Sequence, residues 1–209
     1  MFHSSQLEPV PYPPPPWNLA GQSWLGFFRA DTPPKLPDGY SYFLPARYVA
    51  VSVIRYLSGT LSYDELIVGS VVRHRGKIGL YVHHIWVDDI ASLWGGRKIW
   101  GLNKEMAVFA WENNTVTISD EGGIILALEV NQKPALLPPL PMLMPSFGKL
   151  DGQSLFTTGK ITARLGKAGM TIKNWSERFQ FQVQPKPLFA LAGKPFSMTF
   201  VPPKILAAN

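Results

Sequence analysis

The chain's 209 residues are 46% hydrophobic, 12% aromatic and only 16% charged, the composition of a globular protein with the apolar mass for a core. Its formal net charge of +6 comes from 20 basic against 14 acidic residues; the basic ones are scattered among apolar residues in strand-like runs, which excludes the basic stripe of a nucleic-acid binder and suits an anionic small molecule. There is no cysteine, which excludes a disulfide framework and a thiolate metal site and suits a reducing cytosol, so the expected location is cytoplasmic.

The N-terminus, MFHSSQLEPVPYPPPPWNLAG, lacks the basic start and apolar stretch of a secretory signal. No uninterrupted apolar run approaches the roughly 20 residues that cross a bilayer, so no membrane partner is expected. Residues 9–17, PVPYPPPPW, cannot be helix or central strand, because proline lacks the N–H and fixes φ. They are expected to form an extended polyproline arm, packed along its own domain or against a subunit neighbour. The division read from this is an arm over residues 1–22 and one folded domain over 23–209.

After residue 47 the hydrophobic period is two. RYVAVSVIRYL places Val49, Val51 and Val53 on one face. Longer β runs are expected at 65–74, 77–88, 105–111, 123–131 and 154–164. TVTIS sets Val116 and Ile118 opposite Thr115 and Thr117; RFQFQVQ sets Phe179, Phe181 and Val183 inward; FSMTF repeats the pattern with Phe196, Met198 and Phe200. Glu121-Gly122-Gly123 and Gly166-Lys167-Ala168-Gly169 read as turns. VDDIASLWGG alone reads as a short helix, with Asp88 or Asp89 as N-cap and a glycine stop. Residues 134–152, PALLPPLPMLMPSFGKLDG, read as an apolar, proline-broken loop that seals a pocket or meets another subunit. Many strands with few helices make the fold mainly β, a single-domain barrel or sandwich.

Most familiar chemistries fail on this sequence. His83 and His84 are adjacent on a strand, so alternation sends them to opposite faces, and no third ligand accompanies them; no metal is expected. GGRKIWG is not a phosphate loop, because no Gly-Lys-Ser/Thr follows. Lys104 remains, flanked by Trp100, Leu102, Met106, Val108 and Phe109. A lysine with a pKa of about 10.4 needs roughly 4.5 kcal/mol of ammonium destabilisation to become a nucleophile near neutrality, and apolar burial can supply that.

GRKIWGLNKEMA resembles the signature of the acetoacetate decarboxylase-like superfamily. Upstream, GLYVHHIWVDDIASLWGGR is similar to its Gly-x-Tyr-x-His, Asp and Gly-Arg pattern, here Gly79, Tyr81, His83, Asp88, Gly96 and Arg97, and LSYDEL looks like its Tyr-x-Glu, here Tyr63 and Glu65. The resemblance implies a closed or partly closed β-barrel or cone with an internal apolar cavity. It also implies a lysine, Lys104, that forms a Schiff base with a β-keto acid or related oxo-acid, decarboxylating it to a ketone without a cofactor; acetoacetate decarboxylase is the standard case of a lysine activated this way. Glu65 matches the family's active-site glutamate. The expected substrate-binding residues are Arg97, Tyr63, His83, Trp100 and Glu105, and a homo-oligomer is expected.

The departures from the pattern are specific. The family's second lysine is Glu105 here, its proline is Asn103, and its glutamate after Gly-Arg is Lys98. Glu105, next to Lys104 on a strand, is expected to face away from the amine, toward Lys98 or a subunit neighbour. The arginine that the family places near the substrate carboxylate is not evident in NLAGQSW. Two alternatives therefore stand: a Schiff-base aldolase or dehydratase acting on another carbonyl substrate, and a non-catalytic barrel that binds an apolar carbonyl ligand.

Overall fold

The computed structural model describes residues 7–133 and 138–207. β1 (Trp17–Arg29), β2 (Ser41–Tyr42), β3 (Tyr48–Gly59), β4 (Tyr63–His74) and β5 (Lys77–Val87) lead into the helix α1 (Ile90–Ile99). There follow β6 (Lys104–Met106), β7 (Val108–Glu112), β8 (Thr115–Asp120), β9 (Gly123–Gln132), β10 (Leu140–Leu150), β11 (Gln153–Trp175), β12 (Phe189–Phe200) and β13 (Lys204–Ile205). Strands β5, β4, β3, β1, β12 and β11 are successive neighbours, and β10 pairs with both β11 and β5. The sheet thus partly closes into a ring, the mainly β, partly closed barrel expected from the sequence. Its seam is thin: β10 meets β5 through the pairs Ser146–Leu80 and Phe147–Tyr81.

β11 is long enough to serve two layers. Its first part pairs with β10 and β12 in the ring, and Ala168–Trp175 pairs with β9. β9, β8 and β7 continue outward as a second layer. Strand alternation then divides the core in two. Val49, Val51, Val53, Leu66 and Val68 pack outward from β3 and β4 onto Val116, Ile118, Leu126 and Leu128 of the second layer. Ile54, Tyr56, Tyr63 and Ile67 point the other way, into the ring, with Ile85, Val87 and Leu93 of α1. β4 is buried at every position from Tyr63 to Ser70 because it has a layer on each side.

Several elements differ from the sequence reading. The sheet takes in residues 17–22, read as the end of the arm, because they pair with β12 from Trp17 onward. The preceding segment is tied to the same chain at α1 and β1: the Glu8 carbonyl accepts from the Trp94 indole at 3.0 Å, and the Pro13 carbonyl accepts from the Trp17 indole at 2.9 Å. The run expected at 105–111 breaks at Ala107, whose N–H donates to the Val87 carbonyl as the chain leaves the ring for the second layer. RFQFQVQ is not a strand. It forms a 3-10 turn at Glu177–Phe179 followed by Gln180 in the left-handed region, although Phe179 and Phe181 are still buried and the glutamines exposed; its alternation reports burial without a ladder.

The apolar loop expected at 134–152 is the strand β10 from Leu140 on; residues 134–137 lie outside the described residues. Pro141 and Pro145 are tolerated there because β10 pairs with β5 only at Ser146 and Phe147, so most of it is an edge on that side. The glycines of Gly166-Lys167-Ala168-Gly169 make no turn, and β11 runs straight through them. Gly169 instead marks a close approach: a β-carbon there would stand 2.5 Å from the Asn131 side chain.

Candidate active site

The helix α1 carries one wall of the site. Asp89 caps it by accepting the Ser92 N–H at 2.6 Å. The glycines expected to stop it lie inside it, and the helix runs on to Ile99. A β-carbon on Gly95 would come within 2.5 Å of the Trp17 ring, and one on Gly96 within 2.5 Å of the Lys104 side chain. The pair makes a flat strip of helix on which a tryptophan and a lysine lie. Gly101, at φ 63, then turns the chain into β6. Arg97 ties the helix to that strand: its Nε donates to the Lys104 carbonyl at 2.8 Å, and its guanidinium lies 5.4 Å from the Trp94 ring centre.

Lys104 opens β6, parallel to β5 and opposite Ile85, and is 4% exposed. Its amine donates to Glu65 Oε2 at 2.7 Å and to Ser92 Oγ at 2.9 Å, and lies 5.1 Å from the Tyr63 ring centre. Glu65, on β4, accepts at its other oxygen from the Tyr56 hydroxyl at 3.2 Å. Burial, and after it the Glu65 charge, push the phenols of Tyr56 and Tyr63 well above their ordinary value, so both stay neutral.

These groups line a cavity of about 50 Å³ inside the ring, room for a few waters. Its wall is otherwise mostly apolar, with Leu80, Val82 and Ile85 from β5, and Met144, Met198 and Phe200 from β10 and β12. Trp17 and Trp100 also line it, edge to face at 4.7 Å between ring centres, and the Trp100 indole is anchored on the Val201 carbonyl at 2.9 Å. The charged side chains of the lining are Lys104 and Glu65.

Of the residues singled out in the sequence, Glu65, Tyr63, Trp100 and Lys104 share this cavity, while Arg97, Glu105 and His83 lie outside it. Glu105 is on the far side of β6 from the amine, in an open cleft of about 780 Å³ with Arg97 and Lys98. His83 sits at a β-bulge opposite Val68 and Gly69, with its Nε2 2.9 Å from Ser70 Oγ. The bulge overrides the alternation expected for the two histidines. His83 and His84 pack on the same patch, against Phe181 and Phe179 respectively. Burial, and then the neighbouring His84, lower His83 to about 4. Ser92, Tyr56 and Ser146 also belong to the site and carry no mark in the sequence beyond the position of Ser92, three residues after the cap.

Residues 41–141, a span that includes Glu65, α1 and Lys104, match the family described as acetoacetate decarboxylase (ADC). The crystal structure of acetoacetate decarboxylase from Legionella pneumophila aligns over 96% of this chain and 92% of its own, with a TM-score of 0.66 and 18% identity. Over residues 41–141 the chain is thus similar to the acetoacetate decarboxylase family, and in fold it is similar to that solved structure. Among curated relatives, the acetoacetate decarboxylase of Acidiphilium cryptum is 47% identical over 36 residues, 17% of this chain and 15% of that one. Acetoacetate decarboxylase 1 of Bradyrhizobium diazoefficiens is 27% identical over 114 residues, 50% of this chain and 44% of that one. The matched segments thus span less than half the length of either relative. The enduracididine biosynthesis enzyme MppR, complexed with the condensation product of pyruvate and imidazole 4-carboxaldehyde, aligns over 93% of this chain and 90% of its own, with a TM-score of 0.61 and 15% identity. What the chain shares with these structures at such identities is the fold.

Proposed function

We propose that this chain is a Schiff-base enzyme whose Lys104 condenses with a small β-keto acid or related oxo-acid, with decarboxylation as its reaction. One observation carries the reading: a buried lysine amine held 2.7 Å from a buried carboxylate at the wall of a mostly apolar cavity. Glu65 takes the ammonium proton, the amine adds to the carbonyl carbon, and one amine hydrogen moves to the oxygen. The proton on Glu65 then lets that hydroxyl leave as water, giving a protonated imine. The imine accepts the electron pair of the bond to the carboxyl carbon as carbon dioxide departs. The enamine carbon takes up a proton supplied through Glu65, and water releases the ketone and restores the amine. Ser92 holds the amine in line, and Tyr56 orients the carboxylate.

A second reading draws on the composition of the wall. Lys104 and Glu65 are paired with each other, which leaves a substrate carboxylate no other cation in the lining, and burying an unpaired carboxylate is costly. An aldol or dehydration step on another carbonyl compound, through the same imine, suits that wall. The test is borohydride reduction with acetoacetate and a panel of other carbonyl compounds, followed by peptide mass mapping, with carbon dioxide release measured in parallel. A reduced adduct on Lys104, lost in Lys104→Ala, is the expected result. Adducts spread over surface lysines, unchanged in Lys104→Ala, would overturn the Schiff-base reading, and adduct formation without carbon dioxide release would select the second reaction over the first.

A further inference from the structure

The Ser146 hydroxyl is buried, lines the cavity and has no hydrogen-bond partner among the described residues. Native proteins rarely leave a buried hydroxyl in that condition, because its lost hydration is not replaced. Tyr56 and Glu65 are bonded to each other, and Lys104 to Glu65 and Ser92, so Ser146 is the lining group with hydrogen-bonding capacity and no protein partner. It stands at the seam of the ring, opposite Leu80 on one side and Thr157 on the other. Lys104 stands opposite Ile85, five residues further along β5, roughly 16 Å of strand at the usual rise per residue, part of which the lysine side chain itself spans. Between the two points the wall is apolar, made by Leu80, Val82, Ile85 and Met144.

We infer that Ser146 is a specificity-determining contact for the distal end of the substrate. Resting on the Schiff-base reading of Lys104, this narrows the substrate class to a carbonyl compound with an apolar middle and an uncharged hydrogen-bonding group, such as a hydroxyl, at the far end. A distal carboxylate does not fit, since no cationic side chain of the lining is available to it, whereas a serine hydroxyl both donates to and accepts from an uncharged oxygen. The unbranched side chains of Met144 and Met198 give the cavity walls that can reshape around a longer chain.

The experiment is a competition. Straight-chain methyl ketones of increasing length are offered in pairs, plain against terminally hydroxylated, and hydroxylated against the oxo-acid of the same length. The adduct ratio on Lys104 is read by mass mapping after borohydride. The native protein is expected to favour the hydroxylated ketone over its plain partner roughly three- to tenfold once the chain is long enough to reach, the scale of one net hydrogen bond. Ser146→Ala is expected to bring that ratio to about one. An unchanged ratio in Ser146→Ala, or a native preference for the oxo-acid at the chain lengths that reach Ser146, overturns the assignment. If no ketone forms an adduct, the distal contact is decided by calorimetry with the saturated terminal diols; the Schiff-base reading itself fails only if acetoacetate and the other oxo-acids give no adduct either. Weaker binding to Ser146→Ala than to the native protein supports the contact, and equal binding, or none to either, refutes it.

Discussion

The inter-sheet core and the ring interior are built on opposite faces of the same strands, and they are different solvents. On the outer face Val51, Val53, Leu66 and Val68 meet Val116, Ile118 and Leu128 in close hydrocarbon contact. On the inner face, one residue away along β4, Glu65 meets an amine beside a void. The first region stabilises by removing apolar area from water. The second spends stability, since two charges and two phenols are held where water would solvate them better. The contrast shows how a mostly β chain can carry a costly interior: beside the ring's own apolar residues, the second layer supplies a packed core with no charged group in it.

That contrast should break most visibly at Lys104. Lys104→Ala is expected to abolish borohydride trapping and, by leaving Glu65 buried without its partner, to cost about 3–5 kcal/mol in denaturant unfolding. Combining Lys104→Met with Glu65→Gln should recover most of the stability and none of the trapping. A double variant as unstable as the single one would show that the unpaired charge is not what the ring pays for. In the outer core, Ile118→Ala is expected to cost about 2–5 kcal/mol while the folded fraction traps at the native rate; slowed trapping at full folding would mean that the two regions are coupled.

Gly96→Ala probes the boundary between them. The added methyl group would press on the Lys104 side chain at 2.5 Å, so a loss of about 1–3 kcal/mol should come with trapping slower than in Ile118→Ala. Trapping at the native rate would show that the lysine does not depend on the flat strip of helix. At neutral pH no effect on trapping is expected from His83, whose part is confined to acid stability. Its folded value of about 4 lies below the ordinary 6.5, so its contribution to stability is complete above 6.5 and is lost as pH falls from there through about 4. The loss should be no steeper than about 1.4 kcal/mol per pH unit. His83→Gln should flatten the unfolding midpoint over that window, and parallel curves for the two proteins would place the proton uptake elsewhere.

The outer core was the more legible region. Val49, Val51, Val53, Val116 and Ile118 could be read from alternation alone, because a half-apolar strand leaves its period in the sequence. In the ring interior alternation marked Phe196, Met198 and Phe200, while the polar and aromatic groups of the site were legible only where a motif marked them, at Tyr63, Glu65, Trp100 and Lys104. Tyr56, Ser92 and Ser146 escaped because a tyrosine, a helical serine and a strand serine look the same whether they face a cavity or a core. The glycines misled in a consistent way. Gly95, Gly96 and Gly169 resemble punctuation in one dimension, but each marks a place where another side chain comes too close for a β-carbon. Likewise RFQFQVQ and the proline-rich stretch before Ser146 were misassigned because burial and strand pairing are separable: the first has burial without a ladder, the second a ladder at an open edge.

β4 has no face turned to water between Tyr63 and Ser70, and this constrains how the sheet can be assembled. A strand with one solvated side can be mispaired by one position and still bury something acceptable. Moving β4 by one position against β3 and β5 would carry the Glu65 carboxylate into hydrocarbon and set Leu66 against the amine, so the error is penalised on both sides at once. The buried carboxylate therefore disfavours a one-position slip of β4 more strongly than an apolar residue in its place would.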